Sequence, residues 1–404
     1  MRRLHRVFIA WVIATLSGYG WLCTSAAAEL MPGNNHVISP GVPQGAAPLN
    51  LSNLVGKLKA SRNTSISIVQ LGDSHTAADL FTGEMRRLFQ QQYGAGGIGF
   101  IAAMPVPGTR YDQIVLSTVD GQWRLVSSRN QYSGEFPLGG YLSLPMGPKA
   151  GVHIESRASN EGVYRISALY RALSNSQLIA SAGGSSTSVE LLPTSGQWRF
   201  SPVIQPVNLP MDLVIASNQD VELGGWNIES LTENGVTYSA LGVNGAMLKI
   251  LDKWQDGWLS TLQALRPDLL VLAYGGNEAF DDDLDLTFYE ADLSEKLALL
   301  RRALPDTVIL LVGPADSIKQ RSADSCAGRQ PAKLAQIIQI QRQAALKAAA
   351  LFWDWQGYMG GACSIEHWQA AHLAQNDLIH LNGEGYKKSA GELYEYLQSQ
   401  LAGP

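Results

Sequence analysis

The chain contains two patterns that belong to different kinds of fold. Near both ends, short apolar runs alternate with longer amphipathic segments, whereas the middle, from about Phe100 to Ile228, has short alternating segments and no long helical period. Strands that alternate with helices predict a parallel sheet between two helix layers. Short alternating segments separated by turns predict an antiparallel β-sandwich. The sequence therefore predicts an α/β fold with a β-sandwich inserted into it.

These patterns divide the 404-residue chain into five segments. The first, 1–28, is followed by a tether, 29–49, that is rich in Pro, Gly, Asn and Ala. The α/β domain is predicted in two parts, 50–99 and 229–404, on either side of the insert, 100–228. A chain of this length is too long for one ordinary core. An insertion is tolerated where its two ends lie close together.

The first segment has the pattern of a secretory signal. Arginines near its start are followed by an apolar run from Val7 to Leu16, and Ala26 to Ala28 supply small residues for cleavage. Ser17 and Gly18 interrupt the run well short of the roughly 20 apolar residues that a membrane-spanning helix needs. We therefore predict export to the periplasm, with an uncleaved anchor as the alternative.

Charge and cysteine content limit the possible partners. The formal net charge is −5, and no block of Lys and Arg is long enough to follow a phosphate backbone, so no nucleic acid partner is expected. Signal cleavage would leave Cys326 and Cys363 as the remaining cysteines in an oxidising compartment. They form either a disulfide or two separate buried thiols, and the sequence leaves both open.

Ser74 occupies a position suited to an acyl-transfer nucleophile. It follows a predicted buried strand, Ser65 to Leu71, and a tight Gly72-Asp73 turn, and it precedes a predicted helix, Thr76 to Tyr93. Free N–H groups and the helix dipole stabilise negative charge at such a helix start. For Ser74 alone, the alternative is an ordinary N-cap.

An aspartate and a histidine lie close together near the far end of the chain. Asp377 precedes His380 by three residues, in a loop ahead of a predicted last helix, Asn382 to Leu401. A histidine base needs a partner on one ring nitrogen, so that the other can accept a serine proton in the right tautomer. For the isolated pair, the alternative is an incidental surface salt bridge.

Two further residues are candidate oxyanion donors. Gly245 lies in the segment Leu241 to Ala246, and Asn277 lies in the segment Ala273 to Glu278. Glycine allows a backbone N–H to approach a developing oxyanion closely, and an asparagine amide adds a side-chain donor. Loss of one such donor raises the barrier by about 3 kcal/mol. In the alternative interpretation, the glycines only form turns.

Taken in order, these residues resemble the sequence blocks of the SGNH (GDSL-type) hydrolases. Ser74 matches the block I serine, Gly245 the block II glycine, Asn277 the block III asparagine, and Asp377 with His380 the block V pair. The resemblance implies a flavodoxin-like three-layer α/β/α fold and a Ser-His-Asp mechanism without metal or cofactor. It also implies an oxyanion hole made by the backbone N–H groups of Ser74 and Gly245 and the side chain of Asn277.

Within that family, two stretches resemble the periplasmic peptidoglycan O-acetylesterases of Gram-negative bacteria. They are Gly72 to Asp79 and Tyr93 to Phe100, followed by the β-rich insert. The resemblance implies that the insert is similar to a carbohydrate-binding module of jelly-roll form. Two residues depart from the general pattern. Glu278 replaces the usual aspartate and is expected to change how the Asn277 loop is held, whereas His75 replaces the usual leucine and leaves the chemistry in place.

The implied reaction is hydrolysis of the 6-O-acetyl ester of N-acetylmuramic acid through an acetyl-enzyme intermediate. The expected partner is therefore O-acetylated peptidoglycan or another acetylated glycan, with no stable membrane span after signal cleavage. Three alternatives remain open. They are an esterase for another acetylated polysaccharide or a lipid, an O-acetyltransferase with the same triad, and, from a different class, a glycan-binding protein whose hydrolase domain is degenerate.

Other chemistry-bearing residues have a structural interpretation. Trp123, Trp198 and Trp226 could stack on sugar rings, but we predict that they form the core of the sandwich. The histidines outside the candidate site lack the spacing and the carboxylate or cysteine support of metal ligands, so no metal is expected. His75 is left with two interpretations, a substrate contact or a structural hydrogen bond beneath the Ser74 turn.

Overall fold

The structure is a computed structural model that describes residues 51–119, 122–131, 135–157, 162–216, 220–255 and 257–402. The predicted signal, 1–28, and the predicted tether, 29–49, lie outside these residues. Among the helices of the described ranges, none combines the length and apolar character needed to span a membrane.

Strands and helices alternate towards both ends of the described chain, and strands predominate in its middle. The strands are β1 (Ser65–Gly72), β2 (Gly97–Ile101), β3 (Ile114–Thr118), β4 (Trp123–Ser127), β5 (Tyr141–Pro145), β6 (Ala150–Ser156), β7 (Val163–Ala172), β8 (Ser176–Ala182), β9 (Ser185–Leu191), β10 (Arg199–Phe200), β11 (Ile204–Asn208), β12 (Met211–Ala216), β13 (Val221–Ser230), β14 (Gly235–Gly242), β15 (Leu269–Ala273), β16 (Val308–Val312) and β17 (Leu351–Trp353). The helices are α1 (Ser52–Lys59), α2 (Ser74–Ala77), α3 (Phe81–Tyr93), α4 (Trp258–Ala264), α5 (Gly276–Phe280), α6 (Leu286–Ala303), α7 (Cys326–Arg329), α8 (Leu334–Lys347), α9 (Trp355–Met359), α10 (Ser364–Ala370) and α11 (Gly383–Ala402), with a 3-10 helix at Leu248–Lys253.

A parallel sheet forms the centre of the α/β part. Its strand order is β14-β1-β15-β16-β17, and every neighbouring pair is parallel. Numbered along the chain within this sheet, the order is 2-1-3-4-5, which is the flavodoxin-like order. Such sheets bind ligands outside the carboxyl ends of the strands where the order reverses, here between β1 and β15.

Both faces of the parallel sheet are covered by helices because successive side chains of each strand point to opposite faces. Ile66 and Ile68 of β1 pack with apolar side chains of α1, α3 and α11. Val69 and Leu71 pack in a second core with side chains of α4, α6 and α8. Complete burial of one such side chain contributes about 1.5 to 3 kcal/mol. The predicted three-layer α/β/α architecture is confirmed.

Between β2 and β13, the chain forms two antiparallel sheets. One has the order β10-β7-β13-β5-β4, with β11 on β7 and β2 on β13, and the other has the order β3-β6-β12-β8-β9. Their inner faces share a core that includes Ile154, Leu213 and the fully buried Trp226. The first and last strands, β2 and β13, pair with each other, so the chain enters and leaves this part at neighbouring positions. The predicted β-rich addition to the α/β fold is confirmed.

The predicted tryptophan environments agree with the structure in most respects. Trp226 is buried in the sandwich core, as predicted, and its indole N–H donates to the Ala103 carbonyl. Trp198 is also buried, but it packs in the core that contains Val69 and Leu71 of β1 and not in the sandwich core. Trp123 is only partly buried, and its indole N–H donates to the Gly151 carbonyl.

Cys326 and Cys363 form a disulfide, which the sequence had left open.

One predicted helix is broken. The helix predicted from Thr76 to Tyr93 is two helices, α2 and α3, because Asp79 adopts a left-handed conformation with φ of 47°. The buried carboxylate of Asp79 accepts two hydrogen bonds from the Arg86 guanidinium and one from the Thr82 hydroxyl. It also accepts the backbone N–H of Asp112. This buried ion pair fixes the turn between the two helices.

Side chains set the ends of two other elements. β17 ends at Trp353, because the Asp354 carboxylate accepts the Gly357 N–H and caps α9. The helix predicted from Asn382 to Leu401 begins one residue later, and the Asn382 side chain accepts the Gly385 N–H. In both cases a side chain that bonds to the backbone sets the boundary.

Candidate active site

Ser74 lies just beyond the carboxyl end of β1, where the strand order reverses. It is the first residue of α2, and the Asp73 carboxylate before it accepts the His75 N–H at 3.0 Å. The turn is tight, since a Cβ added to Gly72 would lie 2.2 Å from the Thr76 hydroxyl oxygen and 2.9 Å from the Ala273 carbonyl oxygen. Glycine at this position is what allows the strand to turn directly into the helix that carries Ser74.

The Ser74, His380 and Asp377 side chains are connected in sequence. Ser74 Oγ lies 2.9 Å from His380 Nε2, and His380 Nδ1 lies 2.7 Å from Asp377 Oδ2. Asp377 Oδ1 accepts the backbone N–H groups of Ile379 and His380, each at 3.0 Å. Burial raises the pKa of Asp377, but the bonds from His380 and these N–H groups outweigh it, so the pKa lies below its usual value. The carboxylate therefore remains ionised beside the imidazole.

The loop that carries His380 is held from several sides. An isolated bridge joins Ala374 to Leu381, and the Gln375 N–H donates to the His380 carbonyl. On the other side, the Ile318 N–H donates to the Leu378 carbonyl at 2.9 Å. The backbone of the loop is thus fixed on both sides of the imidazole.

The two candidate oxyanion donors, Gly245 and Asn277, line the same cavity. Gly245 has a φ of +72° and lines the same cavity as Ser74. The Asn277 amide nitrogen donates to the Ala246 carbonyl at 2.9 Å and lies 3.3 Å from an Asp73 carboxylate oxygen. Burial raises the pKa of Asp73 to about 6. The Asn277 amide is thus tied both to the residue after Gly245 and to the residue before Ser74.

Glu278 shows how the loop after β15 is held when glutamate replaces aspartate. Its buried carboxylate accepts the Leu248 N–H at 2.7 Å and the Gly275 N–H at 3.0 Å. Burial raises its pKa to about 7. The longer side chain therefore joins the Asn277 loop to the 3-10 helix that follows Gly245. The sequence marked this residue as a departure from the family pattern, and its carboxylate contacts the loop and the 3-10 helix.

His75 has a structural hydrogen bond and also lines the cavity. Its Nδ1 lies 2.8 Å from the Tyr386 hydroxyl oxygen, and its ring packs edge-on against Trp355 with centroids 5.3 Å apart. Burial, followed by the charge of His380, lowers its pKa to about 3. His75 is therefore neutral in the pH range where an esterase works. Of its two sequence interpretations, the structural bond is present in the structure.

A cavity of about 420 Å³ is lined by four of the five candidate residues, and Asp377 is not in its lining. Ser74, His380, Gly245 and Asn277 line it together with apolar side chains. The lining also includes Arg129, which follows β4 in the antiparallel part of the chain. Arg129 could not be predicted from the sequence, because no local motif indicates that a turn more than fifty residues beyond Ser74 folds back over it. Among the described residues, no group of three or more His, Cys, Asp or Glu could hold a metal ion.

Family comparisons assign the two parts of the chain. Residues 96–212 match the N-terminal domain of peptidoglycan O-acetylesterase, and residues 220–388 match the GDSL-like lipase/acylhydrolase family. A solved peptidoglycan O-acetylesterase is 30% identical to this chain, with a TM-score of 0.78 over 88% of this chain and 98% of that one. The chain belongs to the GDSL-like (SGNH) acylhydrolases. Within them it resembles the peptidoglycan O-acetylesterases, as the sequence predicted, and it is an acetylesterase hydrolase.

This SGNH hydrolase also has more distant structural matches. A family two carbohydrate esterase from Cellvibrio japonicus is 12% identical, with a TM-score of 0.31 over 72% of this chain and 99% of that one. A salicylyl-acyltransferase from a tetracycline biosynthetic pathway is 13% identical, with a TM-score of 0.35 over 74% and 97% of the two chains. No curated protein matches the chain.

Proposed function

We propose that this SGNH hydrolase removes the 6-O-acetyl group of N-acetylmuramic acid in peptidoglycan. The observation that carries the proposal is the connected set of Ser74, His380 and Asp377, of which Ser74 and His380 line a cavity, in a chain that is 30% identical to a peptidoglycan O-acetylesterase. The proposed product is a glycan with a free 6-hydroxyl, together with acetate.

The proposed mechanism has two steps. In the first, His380 Nε2 accepts the Ser74 proton while Oγ attacks the acetyl carbonyl, and the imidazolium then protonates the departing sugar oxygen. In the second, His380 activates a water that attacks the acetyl-enzyme, and acetate leaves. Asp377 keeps the proton on Nδ1 and stabilises the imidazolium. The backbone N–H groups of Ser74 and Gly245 and the Asn277 amide would bind the oxyanion.

The remaining predicted features complete the proposal. Residues 1–28 would export the chain to the periplasm, 29–49 would form a tether, and 100–228 would be an inserted carbohydrate-binding-like domain between the hydrolase segments 50–99 and 229–404. Pairing of β2 with β13 supports the insertion, since it brings the ends of that segment together. The likeness of 88% of this chain to a peptidoglycan O-acetylesterase supports a location outside the cytoplasm, where peptidoglycan lies.

The test is acetate release from O-acetylated peptidoglycan sacculi, measured beside hydrolysis of 4-nitrophenyl acetate and butyrate. Ser74→Ala should lose more than about 10⁴-fold in kcat on both acetyl substrates, since it removes the nucleophile. Ser399→Ala, an exposed serine of α11, is the matched control. The proposal also expects butyrate to be a poor substrate, and it expects water rather than an added glycan to accept the acetyl group.

The possible failures are distinct. If the small ester is cleaved in a Ser74-dependent way while sacculi release no acetate, the serine mechanism holds and the peptidoglycan assignment fails. If acetyl groups pass to glycan acceptors, the enzyme is an O-acetyltransferase. If Ser74→Ala keeps full activity, the catalytic assignment itself is wrong, and glycan binding without turnover by the wild type would indicate a degenerate hydrolase.

A further inference from the structure

Arg129 is held over the active-site cavity by a fixed turn. The turn follows β4, and the Arg129 N–H donates to the Ser127 hydroxyl at 3.2 Å. The Ser128 N–H donates to the Gly140 carbonyl at 2.9 Å, and the Lys253 ammonium donates to the Ser128 carbonyl at 2.6 Å. The backbone on which Arg129 stands is therefore tied both to the segment before β5 and to the end of the 3-10 helix.

The Arg129 guanidinium lies against Gly245. A Cβ added to Gly245 would lie 3.2 Å from one terminal nitrogen of the guanidinium and 3.3 Å from Cζ and Nε. The same side chain lines the cavity that contains Ser74 and His380. A positive charge from the antiparallel part thus stands in the same cavity as the candidate nucleophile.

This guanidinium has no anionic partner within the described part of the chain. It makes no hydrogen bond or ion pair there, whereas Arg86 is paired with Asp79 and Arg171 with Glu222. No other Lys or Arg of the described residues lines the cavity. Arginine presents a planar set of donors that matches the two oxygens of a carboxylate. A free guanidinium at a substrate cavity is therefore placed to bind an anion that arrives with the substrate.

We propose that Arg129 binds a carboxylate of the acetylated glycan and makes the enzyme selective for acidic sugars. The inference rests on the proposed function, because N-acetylmuramic acid carries a lactyl carboxyl group that N-acetylglucosamine lacks. That carboxyl is either free or continued by a peptide that bears carboxylates of its own. The shared chemistry is a carboxylate attached to the sugar that carries the ester.

The decisive measurement compares two sugars that differ in the lactyl group alone. We would measure kcat/KM for 6-O-acetyl-N-acetylmuramic acid and 6-O-acetyl-N-acetylglucosamine with the wild type and with Arg129→Gln. The wild type should prefer the acidic sugar by about tenfold, or ~1.4 kcal/mol. Arg129→Gln should reduce this ratio to about one. Because an open cavity admits counterions, added salt should also reduce the wild-type ratio.

Two further variants control for charge and folding. Arg124→Gln removes an exposed arginine of β4 that does not line the cavity, and it should keep the wild-type ratio. Arg129→Lys keeps the charge without the planar donors, and it should keep part of the preference. A third substrate, the 6-O-acetyl muramoyl dipeptide, identifies the source of the carboxylate. If the enzyme prefers this dipeptide and the preference depends on Arg129, the carboxylate that Arg129 binds belongs to the peptide. If there is no such preference, Arg129 binds the free lactyl carboxylate.

Inhibition by the two deacetylated sugars compares the acidic and the neutral sugar again, without cleavage of any glycan ester. N-acetylmuramic acid should inhibit 4-nitrophenyl acetate hydrolysis about tenfold more strongly than N-acetylglucosamine does, as expected for ~1.4 kcal/mol, and Arg129→Gln should remove the difference. If the difference is present while sacculi release no acetate, the proposed function fails and the role of Arg129 stands. The role of Arg129 is refuted if the wild type does not discriminate between the two sugars in either assay. It is also refuted if Arg129→Gln lowers kcat/KM for both acetylated sugars by the same factor. The latter result would indicate a charge effect on the oxyanion instead.

Discussion

Replacement of Asp377 by asparagine tests the proposed roles of the site most directly. The two carboxylate oxygens have different partners, since Oδ2 faces His380 Nδ1 at 2.7 Å and Oδ1 accepts the N–H groups of Ile379 and His380 at 3.0 Å. Asparagine has one acceptor oxygen and one donor group. If its oxygen keeps the two backbone bonds, its NH₂ group faces Nδ1, and the imidazole must then carry its proton on Nε2.

The structure selects this orientation of the asparagine. The opposite orientation would leave two backbone N–H groups without their acceptor, at about 1 kcal/mol each. With the proton on Nε2, the nitrogen that faces Ser74 is a donor and cannot accept the serine proton. A wrong tautomer of this kind lowers kcat by about 10⁴-fold. Asp377→Ala leaves both tautomers accessible, and water can replace the carboxylate because the Asp377 side chain is 40% exposed.

We therefore expect kcat for 4-nitrophenyl acetate to fall in the order wild type, Asp377→Ala, Asp377→Asn. The measurement is a steady-state assay near neutral pH, with Asp306→Asn as the matched control, since Asp306 is exposed and does not line the cavity. Asp377→Asn should be less active than Asp377→Ala even though it is the more conservative change. The reasoning is refuted if Asp377→Asn is the more active of the two, or if it stays within about tenfold of the wild type, which is a barrier change of only ~1.4 kcal/mol.

Two predictions concern stability. Burial raises the pKa of Glu278 from 4.5 to about 7, so between these pH values the folded chain keeps a proton that the unfolded chain has released. The resulting stabilisation of the fold is complete below pH 4.5 and is lost as the pH rises through 7. The loss is ~3 kcal/mol. The free energy of unfolding, measured with urea, should therefore decline more steeply with pH for the wild type than for Glu278→Gln, and equal slopes would contradict the prediction. The Cys326–Cys363 disulfide spans a sequence separation of 37, so Cys326→Ser with Cys363→Ser should lower the free energy of unfolding by up to about 4 kcal/mol. An unchanged denaturation midpoint would show that the bond does not constrain the unfolded chain.

Much of the fold could be predicted because the periodicity of the sequence changes along the chain. β1 is buried on both faces by Ile66 and Ile68 on one side and Val69 and Leu71 on the other, and these aliphatic residues are what the sequence shows between Ser65 and Leu71. The break at Asp79 could not be predicted, because it depends on a buried ion pair with Arg86 and on the backbone N–H of Asp112. Helical periodicity continues across it.

The candidate site was predictable in part for a related reason. Ser74 and Asn277 follow β1 and β15, which are neighbours in the sheet, and the carboxyl ends of parallel strands lie at the same edge. The adjacency of the Asp377–His380 pair to Ser74 came from the family resemblance. Arg129 carried no signal, since its position depends on how the antiparallel part packs over the parallel sheet. The contacts of Glu278 also required the structure, although the sequence had marked it as a departure.

The central position of β1 in the parallel sheet has a consequence for how the enzyme is made. β1 pairs with strands that begin at Gly235 and Leu269, so its hydrogen bonds cannot form until well over half of the chain has been synthesised. Contacts between such distant segments form slowly, because the long intervening loop must first be closed. Ser74 is 306 residues from His380, so a chain interrupted ahead of the Asp377–His380 loop contains the proposed nucleophile without the proposed base. Under the proposed mechanism, activity therefore arises only once the C-terminal part has been made.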